Sequence, residues 1–252
     1  MTQGGLFSDL VEVYEAMIDW PVRLANEAPF FERWFQRAGA RRVVDVACGT
    51  GRHAAWFNSL GLSVEGADLS PQMIARAERS FPPSSTLAWK VRGFEEPISP
   101  PGGFDAAVCT GNSLALAADE LAAARAVSQM LAGVRNGGLL LVHVLNLWRL
   151  PDGPCTWQKC RRAELAGGEA LILKGIHRCQ GRGYVDLAVA GLADARLRYT
   201  ESVPFLGFEA DRLRQMAADA GAAEIECFGG YQEQPYQRHQ SVDLVLVARK
   251  LG

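Results

Sequence analysis

The run VVDVACGTGRHAAWF, residues 43–57, limits what this chain can fold into more than any other stretch. Val43, Val44 and Val46 are β-branched and suit a buried parallel strand. Asp45 stands near the strand end, and Ala47, Gly49, Thr50 and Gly51 let a ligand come close to the backbone of the following loop. A helix start follows, so the unit is strand, small-residue loop, helix. That arrangement belongs to an open, twisted α/β sheet that binds its ligand outside the carboxyl ends of the strands. A second unit, LSVEGADLSPQMI at 62–74, puts Asp68 at a strand end 17 residues after Gly51, with Ser70 and Pro71 as N-cap and first residue of the next helix. The runs FDAAVCTGNSL at 104–114 and GGLLLVHVLNLW at 137–148 are apolar almost throughout, as parallel strands covered on both faces are.

Two ligand classes compete for the first loop: a dinucleotide, read as GxGxxG, and the nucleoside of S-adenosylmethionine (SAM). The first position separates them. A pyrophosphate needs Gly there and no negative charge nearby. This chain has Ala47 there and Asp45 just before it, and a carboxylate at that place attracts an α-ammonium and repels a pyrophosphate. The spacing Asp45, Ala47, Gly49, Gly51 resembles the D/E-x-G/A-x-G-x-G signature of class I SAM-dependent methyltransferases. With FDAAVCTGNSLAL, it is most similar to small-molecule N-methyltransferases of the glycine and sarcosine type. The resemblance implies a Rossmann-like α/β fold with strand order 3-2-1-4-5-7-6, strand 7 antiparallel, and SAM as cofactor with S-adenosylhomocysteine (SAH) as product.

On this reading Asp68 accepts hydrogen bonds from the ribose hydroxyls. Leu69, Met73, Gly93, Phe94 and Thr110 complete the nucleoside pocket, with Cys48 packed against it and Glu95 as a further acceptor for the adenine amine. The alternative is a turn acid at 68 and a core methionine at 73. Tyr14 and Arg23 stand where the resembled enzymes bind the SAM carboxylate, with Trp20 at the same junction; the alternative pairs Arg23 with Glu27 on a helix surface and leaves Tyr14 to pack. Methyl transfer needs an acceptor lone pair held in line about 3 Å from the methyl carbon. Candidates to hold or deprotonate the acceptor are Asn112, His143 and Tyr231, with Asn146 and Tyr236 nearby. An amine needs only to arrive neutral, whereas a hydroxyl needs a base such as His143, which is otherwise a strand-end histidine bonded to backbone. The glycine-type enzymes carry a substrate-clamping Arg where this chain has Leu145; Arg149 lies four residues on.

The whole chain, 1–252, reads as one domain: helices DLVEVYEAMIDW and PVRLANEAPFFERWFQRAG within a lid at 1–38, and a β insertion at 151–205 with runs ALILKGIHRC, GYVDLAVAGL and ARLRYTESV over the site. EADRLRQMAADAGA reads as a helix, AEIECFGG and SVDLVLVARK as the last strands. With 48% hydrophobic residues the chain can bury one α/β core. A net charge of -2 gives no footprint for nucleic acid, and the expected partner is a small-molecule acceptor, the protein being a monomer or homodimer. No long apolar span or signal-peptide region is present, so neither membrane nor export is expected and a cytoplasmic enzyme is the default. Six cysteines without a CxxC pair read as buried free thiols, although Cys155 and Cys160 are spaced for a redox pair. There is no NPPY-like tetrapeptide for a nucleobase amine and no acid pair at the ends of strands four and five for Mg²⁺, so no metal is expected.

Overall fold

A computed structural model describes residues 11–252; the part of the first expected helix before Val11 lies outside the described residues. The order is α1 (Val11–Met17), α2 (Trp20–Ala38), β1 (Arg42–Val46), α3 (Arg52–Ser59), β2 (Ser63–Asp68), α4 (Pro71–Ser80), β3 (Leu87–Val91), β4 (Phe104–Cys109), α5 (Glu120–Gly133), β5 (Val134–Leu145), β6 (Thr156–Leu165), β7 (Gly168–Cys179), β8 (Arg182–Gly191), β9 (Leu197–Phe205), α6 (Ala210–Asp219), β10 (Ala222–Phe228) and β11 (Asp243–Lys250). The main sheet runs β3-β2-β1-β4-β5-β11-β10, with β11 antiparallel to both neighbours and the other pairs parallel. Renumbered without the insertion, this is the expected 3-2-1-4-5-7-6. The strand order reverses between the parallel neighbours β1 and β4, which opens a crevice at their carboxyl ends.

Apolar β1, β4 and β5 lie in the middle and feed two cores. On one face Val44, Val46, Leu140 and Val142 meet α5 and α6 through Val127, Met130, Leu213 and Met216. On the other, Val43, Val108, Leu139 and Leu141 meet the aromatic wall Phe30, Phe31, Trp34, Phe35 and Phe57. The two expected helices form, with the boundary between them shifted by a few residues. Asp19 lies between them and caps α2, its Oδ1 accepting from the Val22 N–H at 3.3 Å, so Trp20 opens the second helix and does not close the first.

The insertion is a four-stranded antiparallel sheet, β6-β7-β8-β9, where three runs were expected. The missed strand, Thr156–Leu165, alternates only between exposed and half-buried positions and so carries little hydrophobic signal. Its sheet is fastened from below: Val13 and Met17 of α1 pack against Ala170, Ile172, Leu187 and Val189. Full burial of side chains of that size stabilises by about 1.5–3 kcal/mol each. Of the cysteines, Cys48 and Cys109 are buried as expected, but Cys160 and Cys179 are exposed; all six are free thiols. No described helix is long and apolar enough to cross a membrane.

The glycines of the first loop divide their work. Gly49 has φ 56°, and a Cβ there would sit 3.3 Å from the Tyr14 hydroxyl. Gly51 has φ 80°, and its Cβ would meet Trp89 Cη2 at 2.5 Å, so the tryptophan from β3 requires a glycine here. Gly51→Ala is expected to lower stability by about 1–3 kcal/mol in urea unfolding, through left-handed backbone and overpacking together. An unchanged midpoint would contradict that packing.

Candidate active site

β1 ends inside the protein, and Asp45 is carried there with only 1% exposure. Neither of its carboxylate oxygens has a hydrogen-bond partner among the described residues. Burial, then the neighbouring Asp68 charge, push its pKa from 3.8 up to about 8, against the pull of Arg23. A buried carboxylate left unpaired is costly, and a cation at that position relieves the cost. Asp68, at the tip of β2, is oriented by backbone: Oδ2 accepts from Gly49 N–H at 2.8 Å and Oδ1 from Ser70 N–H at 2.9 Å. Burial raises its pKa against these two bonds. Ser70 caps α4, its hydroxyl accepting from the Met73 N–H at 3.2 Å, as the sequence implied.

Helices α1 and α2 close over this crevice. Glu15 accepts from the Thr50 hydroxyl and pairs with Arg52 at 2.6 Å, tying α1 to the first loop. Tyr14 lies over Gly49, its pKa pushed to about 12 by burial first and by surrounding carboxylates, with Arg23 opposing. Arg23 reaches the β4 exit, Nη2 standing 3.6 Å from where a Gly111 Cβ would be. It also donates through Nε to Glu27 at 2.9 Å, so the helix pairing forms, but in the interior and not on a surface. Glu27 in turn receives His53 Nε2 at 2.6 Å. Burial alone would raise the Glu27 pKa; His53 and Arg23 bring it down to about 2. Burial, helped by Arg23, lowers that of His53, against the pull of Glu27. The sequence reading weighed Glu27 only as the surface partner of Arg23 and missed His53 altogether. The available signal was Glu27 four residues after Arg23 and His53 just inside the first loop's helix.

The β4 and β5 exits supply the other wall. His143 is 7% exposed; its Nδ1 accepts from Gly111 N–H at 3.2 Å and its Nε2 faces Asp243 at 3.1 Å on the paired strand. Those contacts assign the proton to Nε2. Asn112, in left-handed conformation at φ 70°, accepts the Leu145 N–H on Oδ1 at 2.9 Å, leaving its amide NH₂ as the donor side. Tyr231 packs at 5.3 Å from His143 and 5.4 Å from Phe30, and its buried hydroxyl has no partner among the described residues. Burial drives its pKa well above 10.

Asn146 Nδ2 donates to the Arg238 and Ser241 carbonyls, while Oδ1 accepts from Tyr236 and Trp148, so Asn146 and Tyr236 form a bracket that holds the segment before β11. Arg149 is exposed. Glu95 pairs with Arg125 at 2.8 Å. Around the far end of the crevice, Met73 is buried, Leu69 is 59% exposed, Gly93 N–H is taken by Glu96 at 2.7 Å, and Phe94 packs half-buried against the α5 side of the core. Thr110 is buried at the β4 exit, Cys48 is buried beside Gly66, and Ala47 adopts φ 63° at the loop's start. Trp20 is buried against Tyr14 and His53 at 6.0 and 5.8 Å.

The chain and its fold resemble known proteins. Residues 43–138 match the methyltransferase domain family. The chain is similar to a glycine/sarcosine N-methyltransferase of Parasynechococcus marenigrum, 29% identical over 240 residues that cover 91% of this chain and 80% of the relative. Its fold matches the sugar N-methyltransferase KedS8 from Streptoalloteichus with TM-score 0.74 and 25% identity, over 100% of this chain and 97% of that one. It also superimposes on CalS10, an amino pentose methyltransferase from Micromonospora echinaspora, with TM-score 0.72 and 21% identity, over 99% and 100% of the two chains.

Proposed function

Because this chain belongs to the class I SAM-dependent methyltransferases and acts on a small molecule with SAM as its cofactor, we propose that the atom it methylates is an amine nitrogen. SAM supplies a methyl group on a sulfonium, activated for in-line displacement. The residues fit that cofactor: two unpaired buried oxygens on Asp45 suit an α-ammonium, and Asp68, fixed by Gly49 and Ser70, presents its remaining lone pairs to a ribose diol. Tyr14, Trp20 and Arg23 close over the amino-acid end, with Glu27 and His53 holding Arg23 in place. Ala47, Cys48, Gly49 and Gly51 form the floor, and Leu69, Met73, Gly93, Phe94 and Thr110 line the nucleoside side. Helices α1 and α2 and the insertion at 151–205 serve as covers of this one site.

The observation that carries the amine reading is the state of His143. Nδ1 is occupied by the Gly111 N–H and Nε2 lies 3.1 Å from Asp243, so the imidazole is built into the wall of the site. Tyr231 is no substitute, since its phenol holds its proton far above neutral pH. An acceptor that loses its proton to solvent suits such a wall; a hydroxyl does not. Asn112, through its NH₂, and Tyr231, through its hydroxyl, position the acceptor. A hydroxyl acceptor is the second reading, favoured by the His143–Asp243 pair if a substrate displaces the Gly111 contact. His143→Ala decides between them: amine turnover within about tenfold of wild type is expected, since a positioned base contributes about 10²–10⁴-fold where one is used. A near-total loss with SAM affinity preserved would favour the hydroxyl.

A further inference from the structure

The outer face of the inserted sheet gathers three metal-ligating side chains. Ile176 on β7 and Val185 on β8 pair with each other and point inward, into the core beside Phe205. Alternation therefore turns their neighbours, Gly175 and His177 on β7 with Tyr184 and Asp186 on β8, to the opposite face, away from that core. Gly175 stands opposite Asp186, and the place over it is filled by a thiol: a Cβ there would overlap Cys155 Sγ, from the residue just before β6. His177 Nδ1 and Asp186 Oδ2 are 2.7 Å apart. The Cys155 sulfur, the imidazole nitrogen and the carboxylate oxygen all lie within 4.8 Å of one another, and all three residues are half-buried. Neighbours hold them in place. Tyr184 stacks on the His177 ring with centroids 5.0 Å apart and planes at 12°, and Ser202, paired with Asp186 on β9, hydrogen-bonds its carboxylate. Contacts of this kind orient the ligands of metal sites. Spacing suggests Cys155 as a redox partner of Cys160, but the fold sets Cys155 beside His177 and Asp186 and leaves Cys160 exposed along β6.

We propose that Cys155, His177 and Asp186 bind one divalent transition-metal ion of the zinc class, with water as its fourth ligand, fastening the start of β6 to β7 and β8. One thiolate, one imidazole and one carboxylate suit zinc; magnesium and calcium take oxygen ligands. Zinc stands about 2.0–2.3 Å from such atoms, so the donors of a tetrahedral site are about 3–4 Å apart, which small side-chain rotations reach from the present geometry. On binding, the thiol releases its proton to water as the sulfur–metal bond forms. The imidazole coordinates through Nδ1 and keeps its proton on Nε2, and no electron is transferred. Thiolate and carboxylate together then neutralise the divalent charge. The sequence carries no sign of this set, because its members lie on different strands and match no metal-ligand spacing. The site belongs to the cover and stands independent of the amine reading.

The untagged full chain, stripped of metal with a chelator and kept reduced without thiol reagents, is titrated with Zn²⁺ by calorimetry and with Co²⁺ by absorption. One equivalent of Zn²⁺ is expected to bind. Co²⁺ should give a thiolate-to-cobalt charge-transfer band in the near ultraviolet and the intense visible bands of tetrahedral cobalt. Cys155→Ser, His177→Gln and Asp186→Asn should each weaken Zn²⁺ at least about 10- to 100-fold, since changes beyond the ligands already cost that much. Zn²⁺ should raise the melting temperature of wild type and leave that of Cys155→Ser where it is. Joint replacement of the exposed thiols, Cys160→Ser with Cys179→Ser, should leave binding unchanged. The cobalt spectrum is read on wild type, so the test stands even where a variant fails to fold. No binding of Zn²⁺, a cobalt spectrum without the charge-transfer band, or Zn²⁺ binding that survives the loss of Cys155 would overturn the proposal. So would binding abolished with Cys160 and Cys179, which marks an adventitious surface site.

Discussion

Asp45→Asn is expected to make the ligand-free protein more stable while it cripples SAM binding. The two effects share one cause. In the fold, Asp45 sits with both oxygens unpaired, and its pKa is raised from 3.8 to about 8 by burial and by Asp68. The folded protein therefore keeps a proton that the unfolded chain releases. Below about pH 4 both states are protonated and nothing is lost. Between about pH 4 and 8 the unfolded chain alone ionises, so stability of the ligand-free protein falls as pH rises through that window and levels off above it. A tenfold change in proton affinity is worth about 1.4 kcal/mol, so the total is on the order of a few kcal/mol. Asparagine removes the slope. Urea unfolding at pH 5 and pH 8 should show wild type losing stability with pH and the variant nearly flat and more stable at pH 8. Binding runs the other way, because the ionised carboxylate is the form that attracts an ammonium. SAM affinity of wild type should tighten between pH 6 and 7.5 and exceed that of the variant by about 10- to 150-fold at the top of that range. Equal affinities, or a variant less stable than wild type at pH 8, would sink this assignment of Asp45.

Asp68→Ala should cost still more affinity. A carboxylate that accepts two ribose hydroxyls contributes about 1.5–3 kcal/mol per bond, so a loss of about 10²–10⁴-fold in SAM affinity is expected by calorimetry. The structure adds a complication. The same carboxylate ties the Gly49 and Ser70 amides together, so alanine also releases the loop and the start of α4. Asp68→Asn separates the two roles: its carbonyl oxygen keeps one amide contact and the fold, while the second acceptor and the charge are gone. Affinity is expected to fall in Asn nearly as far as in Ala, with a smaller loss of thermal stability. Undiminished affinity in both variants would remove the ribose assignment and leave Asp68 as a loop brace.

Much of the site was legible because its strand ends are sequence-local. Valines, one acid and a run of small residues specify a strand, a tight loop and a helix start within fifteen residues, and Asp68 follows from the next repeat of that unit. The aromatic density of α2 was legible as apolar but not as the wall that packs on Val43 and Leu139. Pairings that join distant segments were not legible. Asn146 with Tyr236, His143 with Asp243 and Glu27 with His53 span 90, 100 and 26 residues, and no periodicity reports which side chains meet across such distances. Gly51 illustrates the limit in a single residue: it occupies a cofactor-loop position by spacing, yet the atom that requires a glycine there belongs to Trp89.

By itself the sequence determined the open parallel sheet, the two acids at adjacent strand tips and the cofactor they suit, because each depends on residues near one another in the chain and on simple alternation. Only the tertiary structure decided whether those acids are paired. It left Asp45 without a partner, gave Asp68 two and built His143 into a wall. Charge and hydrogen-bond state depend on burial and on what stands opposite, and both are set by how distant elements pack.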